Sequence, residues 1–318
     1  MKGRMLLLKR ALFTALFALS AAGAAYSAIT VTSPAAQTNV KSCNEFSTDV
    51  LRDKWDMDRR TDLGWRIYNS VEEPRSFLTN ITFSGGIFSA RTVYTPGGAD
   101  SYSDCNISIL DSHYPGSVPA GKVGAAYPID ADKYTVLILR ASFDPSVAGA
   151  LGILYWSKDT IYGGVSWSNP IFIHRGWAYY FISIPDVGQW GGTAGGWDGI
   201  VDSLRFDPIY EKDRTIRIDW IRLVEKDASL QKTISWSGNS GNVDIYLDDN
   251  SDPGDGTLGI LAANVSGTSR SFLAGGLEVG DYYAVVVPAG TVPTGNSAVS
   301  AGFFRVNDAP IVAFTKPT

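Results

Sequence analysis

Thr215-Ile216-Arg217-Ile218-Asp219-Trp220-Ile221-Arg222-Leu223 is the stretch that decides the fold. Successive side chains of an extended chain point to opposite faces. Ile216, Ile218 and Trp220 therefore share one face, and Arg217, Asp219 and Ile221 share the other. One face can be core, so the segment is expected to be a strand. The same texture recurs outward from it, in residues 134–140, 150–157, 171–174, 179–184 and 201–206, each broken off by Gly, Pro, Asn, Asp or Ser. Short apolar runs between turn residues are the pattern of sandwiches and barrels. With 33 glycines and 15 prolines to supply the turns, the chain is expected to be all-β. Hardly any stretch shows a 3.6-residue apolar period with capping signals, and one short helix is expected near residues 47–52.

The N-terminus carries Lys2, Arg4, Lys9 and Arg10, then an apolar run from Ala11 to Ala25 that ends in small residues at Ala25, Ser27 and Ala28. That is the order of a cleavable signal peptide. The run falls short of the roughly 20 residues needed to span a bilayer, so export without a membrane span is expected. The protein would then be extracellular or at the cell surface. Cleavage after Ala28 removes four basic and no acidic residues, taking the formal charge from −5 to −9. An acidic surface disfavours nucleic acid and anionic membranes as partners.

About 290 mature residues exceed what one core usually organises, so two domains are expected. Glu225, Lys226 and Asp227 interrupt the β pattern. The expected organisation is a signal peptide at 1–28, an N-terminal arm at 29–42, a first domain at 43–224, a second at 232–308 and a tail at 309–318. The tail ends Phe314-Thr315-Lys316-Pro317-Thr318, which reads more like an interdomain linker than a terminus. Cys43 and Cys105 are the two cysteines, and an even count in an exported chain favours a disulfide over free thiols. Such a bridge would close a loop of roughly 60 residues, worth about 4 kcal/mol on the chain-entropy estimate.

Lys54-Trp55-Asp56-Met57, Gly196-Trp197-Asp198-Gly199-Ile200, Leu204-Arg205-Phe206-Asp207-Pro208 and Ile218-Asp219-Trp220-Ile221-Arg222-Leu223 anchor a resemblance. Together they resemble the carbohydrate-binding, galactose-binding-like jelly rolls of bacterial extracellular proteins, over roughly residues 49–223. The resemblance implies an N-terminal jelly-roll β-sandwich. In such modules a terminal-strand carboxylate helps hold a structural calcium ion, and Asp219 is the matching position. Calcium needs six or more oxygens, so Asp56, Asp58 or backbone carbonyls would have to join it. The alternative is that Asp219 pairs with an arginine or caps a turn. Leu277-Glu278-Val279-Gly280-Asp281-Tyr282-Tyr283 resembles the corner and strand of fibronectin type III-like and immunoglobulin-like sandwiches, which implies a smaller C-terminal β-sandwich. Tyr282 or Tyr283 would be the corner residue, although Val279 stands where the family commonly has proline.

No G-x-S-x-G, H-E-x-x-H or phosphate-cradling Gly-Lys-Ser/Thr loop occurs, and two distant histidines, His113 and His174, cannot complete a usual zinc site. Counting does not dispose of a glycosidase carboxylate pair, whose pairing is spatial. No catalytic residue is assigned and no enzyme activity is expected. The segment 248–256 resembles a calcium loop superficially, but Pro253 and Gly259 stand where an EF-hand needs Gly and Glu, and hairpin-loop geometry is the preferred reading.

The feature with most weight is the aromatic density between Tyr155 and Trp197. Sugar rings present flat C–H faces that stack on aromatic rings, edged by polar donors and acceptors. Trp190 and Trp197 stand in a glycine-rich stretch unsuited to a central strand. The candidate glycan-binding set is Trp190 and Trp197 first, then Trp167, Trp177, Tyr179 and Arg175; for any single aromatic, core packing is the competing role. Two functions follow from different classes. One is a secreted, non-catalytic protein that holds a polysaccharide or surface glycan. The other is a structural subunit of an extracellular matrix, surface layer or filament, self-assembling through the arm. Three states are open to the arm: pairing with a neighbouring subunit, folding back as an edge strand of the first domain, or disorder.

Overall fold

The computed structural model describes residues 28–64, 77–94, 103–111, 124, 126–146, 150–158 and 164–308. The signal segment, His113, Tyr162 and the tail lie outside the described residues. Two strands form the arm, β1 (Thr30–Ser33) and β2 (Thr38–Lys41), and one helical turn follows at Ser47–Leu51. The first half continues with β3 (Leu78–Ser84), β4 (Ile87–Thr92), β5 (Ile107–Leu110), β6 (Ile129–Asp130), β7 (Tyr134–Phe143) and β8 (Ala150–Ser157). Then come β9 (Val165–Ser168), β10 (Ile171–Ile173), β11 (Gly176–Ser183), β12 (Gln189–Gly192), β13 (Ile200–Val201), β14 (Ser203–Asp207) and β15 (Thr215–Glu225). After a turn at Ala228–Leu230 the second half adds β16 (Lys232–Ser237), β17 (Val243–Asp248), β18 (Gly259–Val265), β19 (Ser269–Phe272), β20 (Gly280–Pro288), β21 (Ala298–Val299) and β22 (Phe304–Asn307). The fold is all-β.

One sheet runs β12-β9-β8-β14-β5, with β10 also on β8, and faces the strands β11-β7-β15-β4-β3 of a longer sheet. Leu154, Trp156, Leu204 and Phe206 from the first meet Leu137, Leu139, Phe143, Tyr180 and Ile218 from the second in one buried cluster. The long sheet has a second buried face. Val136, Ile138, Tyr179, Trp220 and Val224 project the other way, onto Ile234, Trp236, Ile245, Leu247 and Val286 of the second half. This explains why β7 reads Tyr-Thr-Val-Leu-Ile-Leu rather than alternating: a strand covered on both faces needs apolar residues on both. The two halves therefore share a central layer. In the second, the Tyr282 hydroxyl donates to the Glu278 carbonyl at 3.0 Å, the corner bond that the sequence suggested.

The arm corrects one expectation. It folds back, but onto the second half instead of the first. β1 pairs antiparallel with β16, setting Val31 opposite Trp236, and β2 runs parallel to β22, setting Val40 opposite Val306. Val31 and Val40 are both buried there. An edge strand of the second half was open, and the arm's unpaired backbone groups are satisfied by it.

The disulfide is a second correction. Cys43 and Cys105 are both free and buried. Cys43 belongs to the cluster on one side of the central layer and Cys105 to the cluster on the other. The Cys105 thiol donates to the Ile209 carbonyl at 2.8 Å. Burial pushes the Cys43 thiol up to about 12 and raises that of Cys105 as well, so neither forms a thiolate readily near neutral pH. Native protein should resist alkylation, and denaturant without reductant should expose two reactive thiols by mass spectrometry; a linked peptide pair would contradict the fold.

Candidate functional site: an aromatic sheet face

The outer face of the β12-β9-β8-β14-β5 sheet brings together residues far apart in sequence. Register sets Tyr155 opposite both Trp167 and Arg205, and Trp167 opposite Gly191. Their neighbours along the strands, Trp156, Ser166, Ser168, Leu204 and Phe206, point inward and are buried. Period-2 alternation on four strands thus leaves one row of Gly191, Trp167, Tyr155 and Arg205 facing out.

Trp167 and Tyr155 rings lie 6.2 Å apart with planes at 41°. The Trp167 indole lies across the Gly191 backbone: a Cβ at Gly191 would come within 2.6 Å of its six-membered ring. That close approach requires glycine. A bulge between Gln189 and Gly191 then turns Trp190 outward, to 63 % exposure. Gln189 holds the bulge, its amide donating to Ser166 Oγ at 3.1 Å and the Gly191 carbonyl at 3.2 Å.

Polar groups edge the aromatic row. The Arg205 guanidinium stacks 4.6 Å from the Tyr155 ring centroid. It is forked onto Asp207, with Nε donating to Oδ1 at 2.7 Å and a terminal nitrogen to Oδ2, and lies 3.7 Å from Asp104. Burial pushes the Asp207 carboxyl up to about 7, the bond to Arg205 pulling the other way. The Tyr155 hydroxyl is hydrogen-bonded to Tyr210, and burial raises both phenols. The row can present flat apolar rings with fixed donors and acceptors beside them.

Of the expected set, Trp190 and Trp167 stand on this face. Trp197 does not: it is 7 % exposed, its Nε1 donates to the Tyr134 carbonyl at 3.0 Å, and it packs edge-on against Trp156. The glycine-rich loop folds inward as a lid because the indole N–H finds a backbone partner inside. Tyr179 is also core, against Trp220 in the cluster shared by the two halves. Trp177 lies beneath the Arg140 guanidinium, 4.6 Å from its centroid, away from this row. Arg175 ties down a loop, donating to the Pro145 carbonyl at 2.9 Å and the Ser146 carbonyl at 2.7 Å. Sequence reasoning missed Arg205, Tyr210 and Asp104 as the polar edge. The alternation of Ser203-Leu204-Arg205-Phe206 was the available signal for Arg205.

Of the two roles left open for Asp219, the structure has the arginine pair. Asp219 is ion-paired with Arg140, which also donates to the Leu258 carbonyl at 3.0 Å. Asp56 and Asp58 come together with Asp62, and the three offer oxygens within 4.8 Å of one another. Asp62 is 1 % exposed, and its Oδ1 has no hydrogen-bond partner. Burial pushes the Asp62 carboxyl up to about 7, and Asp56, Asp58 and Asp53 add to the shift. A cavity of about 10 Å³ beside Asp53, Thr61 and Asp62, otherwise walled by apolar residues such as Leu51, Trp55 and Ile109, has room for about one water. In the 248–256 segment, by contrast, the side chains serve the loop's own turns: Asn250 Oδ1 accepts from Asp252 N at 2.6 Å and Asp252 Oδ1 from Gly254 N at 2.9 Å. Among the described residues no helix is long and apolar enough to cross a membrane.

No family model and no curated protein matches the chain. Among solved structures, it is similar to the glycoside hydrolase domain of Endo-D from Streptococcus pneumoniae R6, with 11 % identity and a TM-score of 0.25. That match covers 69 % of this chain and 33 % of the other, so the chain spans about a third of that protein's length.

Proposed function

We propose that the chain is an exported, non-catalytic glycan-binding protein that holds a polysaccharide against the outer face of the β12-β9-β8-β14-β5 sheet. The observation that carries this reading is the Trp167–Tyr155 pair backed by Gly191 and flanked by the exposed Trp190. Sugar C–H faces stack on such rings, and Arg205, Asp104 and Tyr210 would bond the hydroxyls at the edge. Sedimentation with a panel of insoluble polysaccharides tests it. Trp167→Ala is expected to cut retention at least tenfold and Trp190→Ala severalfold, with folding intact and no reducing ends released. Wild-type protein that sediments with none of the panel, or a Trp167→Ala variant that binds as well as wild type, would remove the reading.

A divalent cation belongs to the same proposal in a structural role. Asp62 supports it: a carboxyl this buried, with one oxygen unpaired and two carboxylates beside it, is stabilised either by a proton or by a hard cation. Asp56, Asp58 and Asp62 would be its protein ligands, and Asp219 would not.

A further inference from the structure

A second concave surface lies away from the aromatic face, where the two halves meet. β11 is bonded to β7 from Gly176 to Ser183 but touches β18 only where Ala178 stands opposite Ile260. Beyond that point the two strands splay, and a cleft of about 530 Å³ opens between β10 and β11 on one wall and β18 and β19 on the other. Phe181 and Phe272, with centroids 5.8 Å apart, close its base.

The charge of this cleft runs against that of the whole chain. Among the described residues its lining contains no aspartate or glutamate, although the protein has 32 of them and a formal charge of −5. It contains Arg270, His174 and Asn264 instead. Arg270 sits on β19 two residues before the buried Phe272, so both point to the same side of the strand. Arg270 is exposed and, among the described residues, makes no ion pair or side-chain hydrogen bond. The Asn264 side-chain Oδ1 accepts from the Asn242 side-chain amide at 2.8 Å, which turns the Asn264 NH₂ to a ligand. Asp244, whose charge is felt at His174, lies behind the β18 wall and is occupied by the backbone N–H groups of Asn264 and Gly290. Burial holds His174 below the usual imidazole range, so near neutral pH it offers one donor and one acceptor. Phe172, 52 % exposed, stands 5.0 Å from the His174 ring and adds an apolar face at the rim.

We infer that this cleft binds a carboxylate-bearing sugar, a uronic-acid unit of an acidic polysaccharide, with Arg270 on the carboxylate and Phe172 against the ring. An exposed guanidinium in a cleft whose described lining carries no acid, with the neighbouring Asp244 carboxylate already bonded by two backbone N–H groups, is complementary to an anion. The aromatic rim suits an anion carried on a ring with a C–H face to stack rather than a bare inorganic ion. The inference names the glycan class and rests on the glycan-binding reading of the sheet face.

The test is calorimetric titration of the mature protein with oligogalacturonate, oligomannuronate and hyaluronan oligosaccharides, each against its methyl ester. At least one acid should bind tenfold or more tighter than its ester. Arg270→Ala should abolish that preference, and Phe172→Ala should weaken both forms together. Both residues are exposed, so the variants are expected to fold, which circular dichroism checks. If no acid is preferred, or if Arg270→Ala keeps the preference, the cleft assignment is wrong. If Trp167→Ala removes binding of acid and ester alike while no acid preference exists, the sheet-face reading stands and the cleft assignment falls. An acid preference that survives Trp167→Ala and disappears in Arg270→Ala supports the cleft and overturns the sheet face as the main glycan contact.

Discussion

Trp197→Ala is expected to cost roughly 3–5 kcal/mol, the range for deleting a large aromatic side chain from a core. The indole is 7 % exposed and packs at 6.0 Å and 85° against Trp156, itself 1 % exposed. Its removal would open a cavity between the lid loop and the sandwich and leave the Tyr134 carbonyl without its 3.0 Å donor. An unpaired buried carbonyl adds about 1–3 kcal/mol when no water replaces the lost bond. Against a typical total of 5–15 kcal/mol this is a large fraction, and at about 2–4 °C per kcal/mol the melting temperature should fall by roughly 10 °C or more. Trp190→Ala is the control: a side chain 63 % exposed should change stability by only about 0.5 kcal/mol. Urea and thermal unfolding of the pair decide the matter. A Trp197→Ala variant as stable as wild type would show that this indole is not core.

Asp62→Asn should remove a pH dependence of comparable size. The folded carboxyl titrates at about 7 and its ordinary value is 3.8, so between these pH values the folded state holds a proton that the unfolded state has lost. Stability from this group is therefore complete below about pH 4 and is lost as the pH rises through about 7. The full span corresponds to roughly 4 kcal/mol. Asp56, Asp58 and Asp53 face Asp62 and drive the shift, while Arg59 pairs with Asp58 at 2.9 Å and Asp53 at 3.5 Å. In chelator, the stability difference between Asp62→Asn and wild type should grow with pH across that window. Calcium should restore the wild type above pH 7, by about 2.7 kcal/mol at a hundredfold excess over the dissociation constant, and should act weakly on the variant. A difference flat with pH would mean that Asp62 does not carry the buried proton. A wild type indifferent to calcium, with none found by elemental analysis, would leave the proton as its only partner.

Strand identity, turn positions and the all-β class were legible from local sequence because they depend on neighbours within a few residues. Residues 215–223 read as a strand, and one forms over Thr215–Glu225. A bulge between Ile218 and Trp220, however, turns Trp220 to the face opposite Ile216 and Ile218 and brings Ile221 onto theirs, against the simple alternation. Residues 134–140 read as a strand too, and β7 forms there. The corner tyrosine was legible for the same reason, since Tyr282 bonds a carbonyl only four residues back. Which aromatic residues meet solvent was not legible. Trp190 and Trp197 stand seven residues apart in the same glycine-rich stretch, yet one is out and the other is core. The difference comes from the Tyr134 carbonyl, 63 residues away in sequence, which accepts the Trp197 N–H.

By itself, the sequence determined that this is a chain of short strands with an aromatic-rich first half and a small second half closed by a tyrosine corner. Periodicity and turn chemistry are local, and they survive any arrangement of the strands. Tertiary structure alone decided that the two halves share a central layer, that the arm closes the second half, that the cysteines lie on opposite sides of that layer, and that Asp219 meets Arg140 while Asp62 joins Asp56 and Asp58. Each of these is a pairing across the chain, chosen by which apolar faces and unpaired backbone edges were left to cover once the strands had formed.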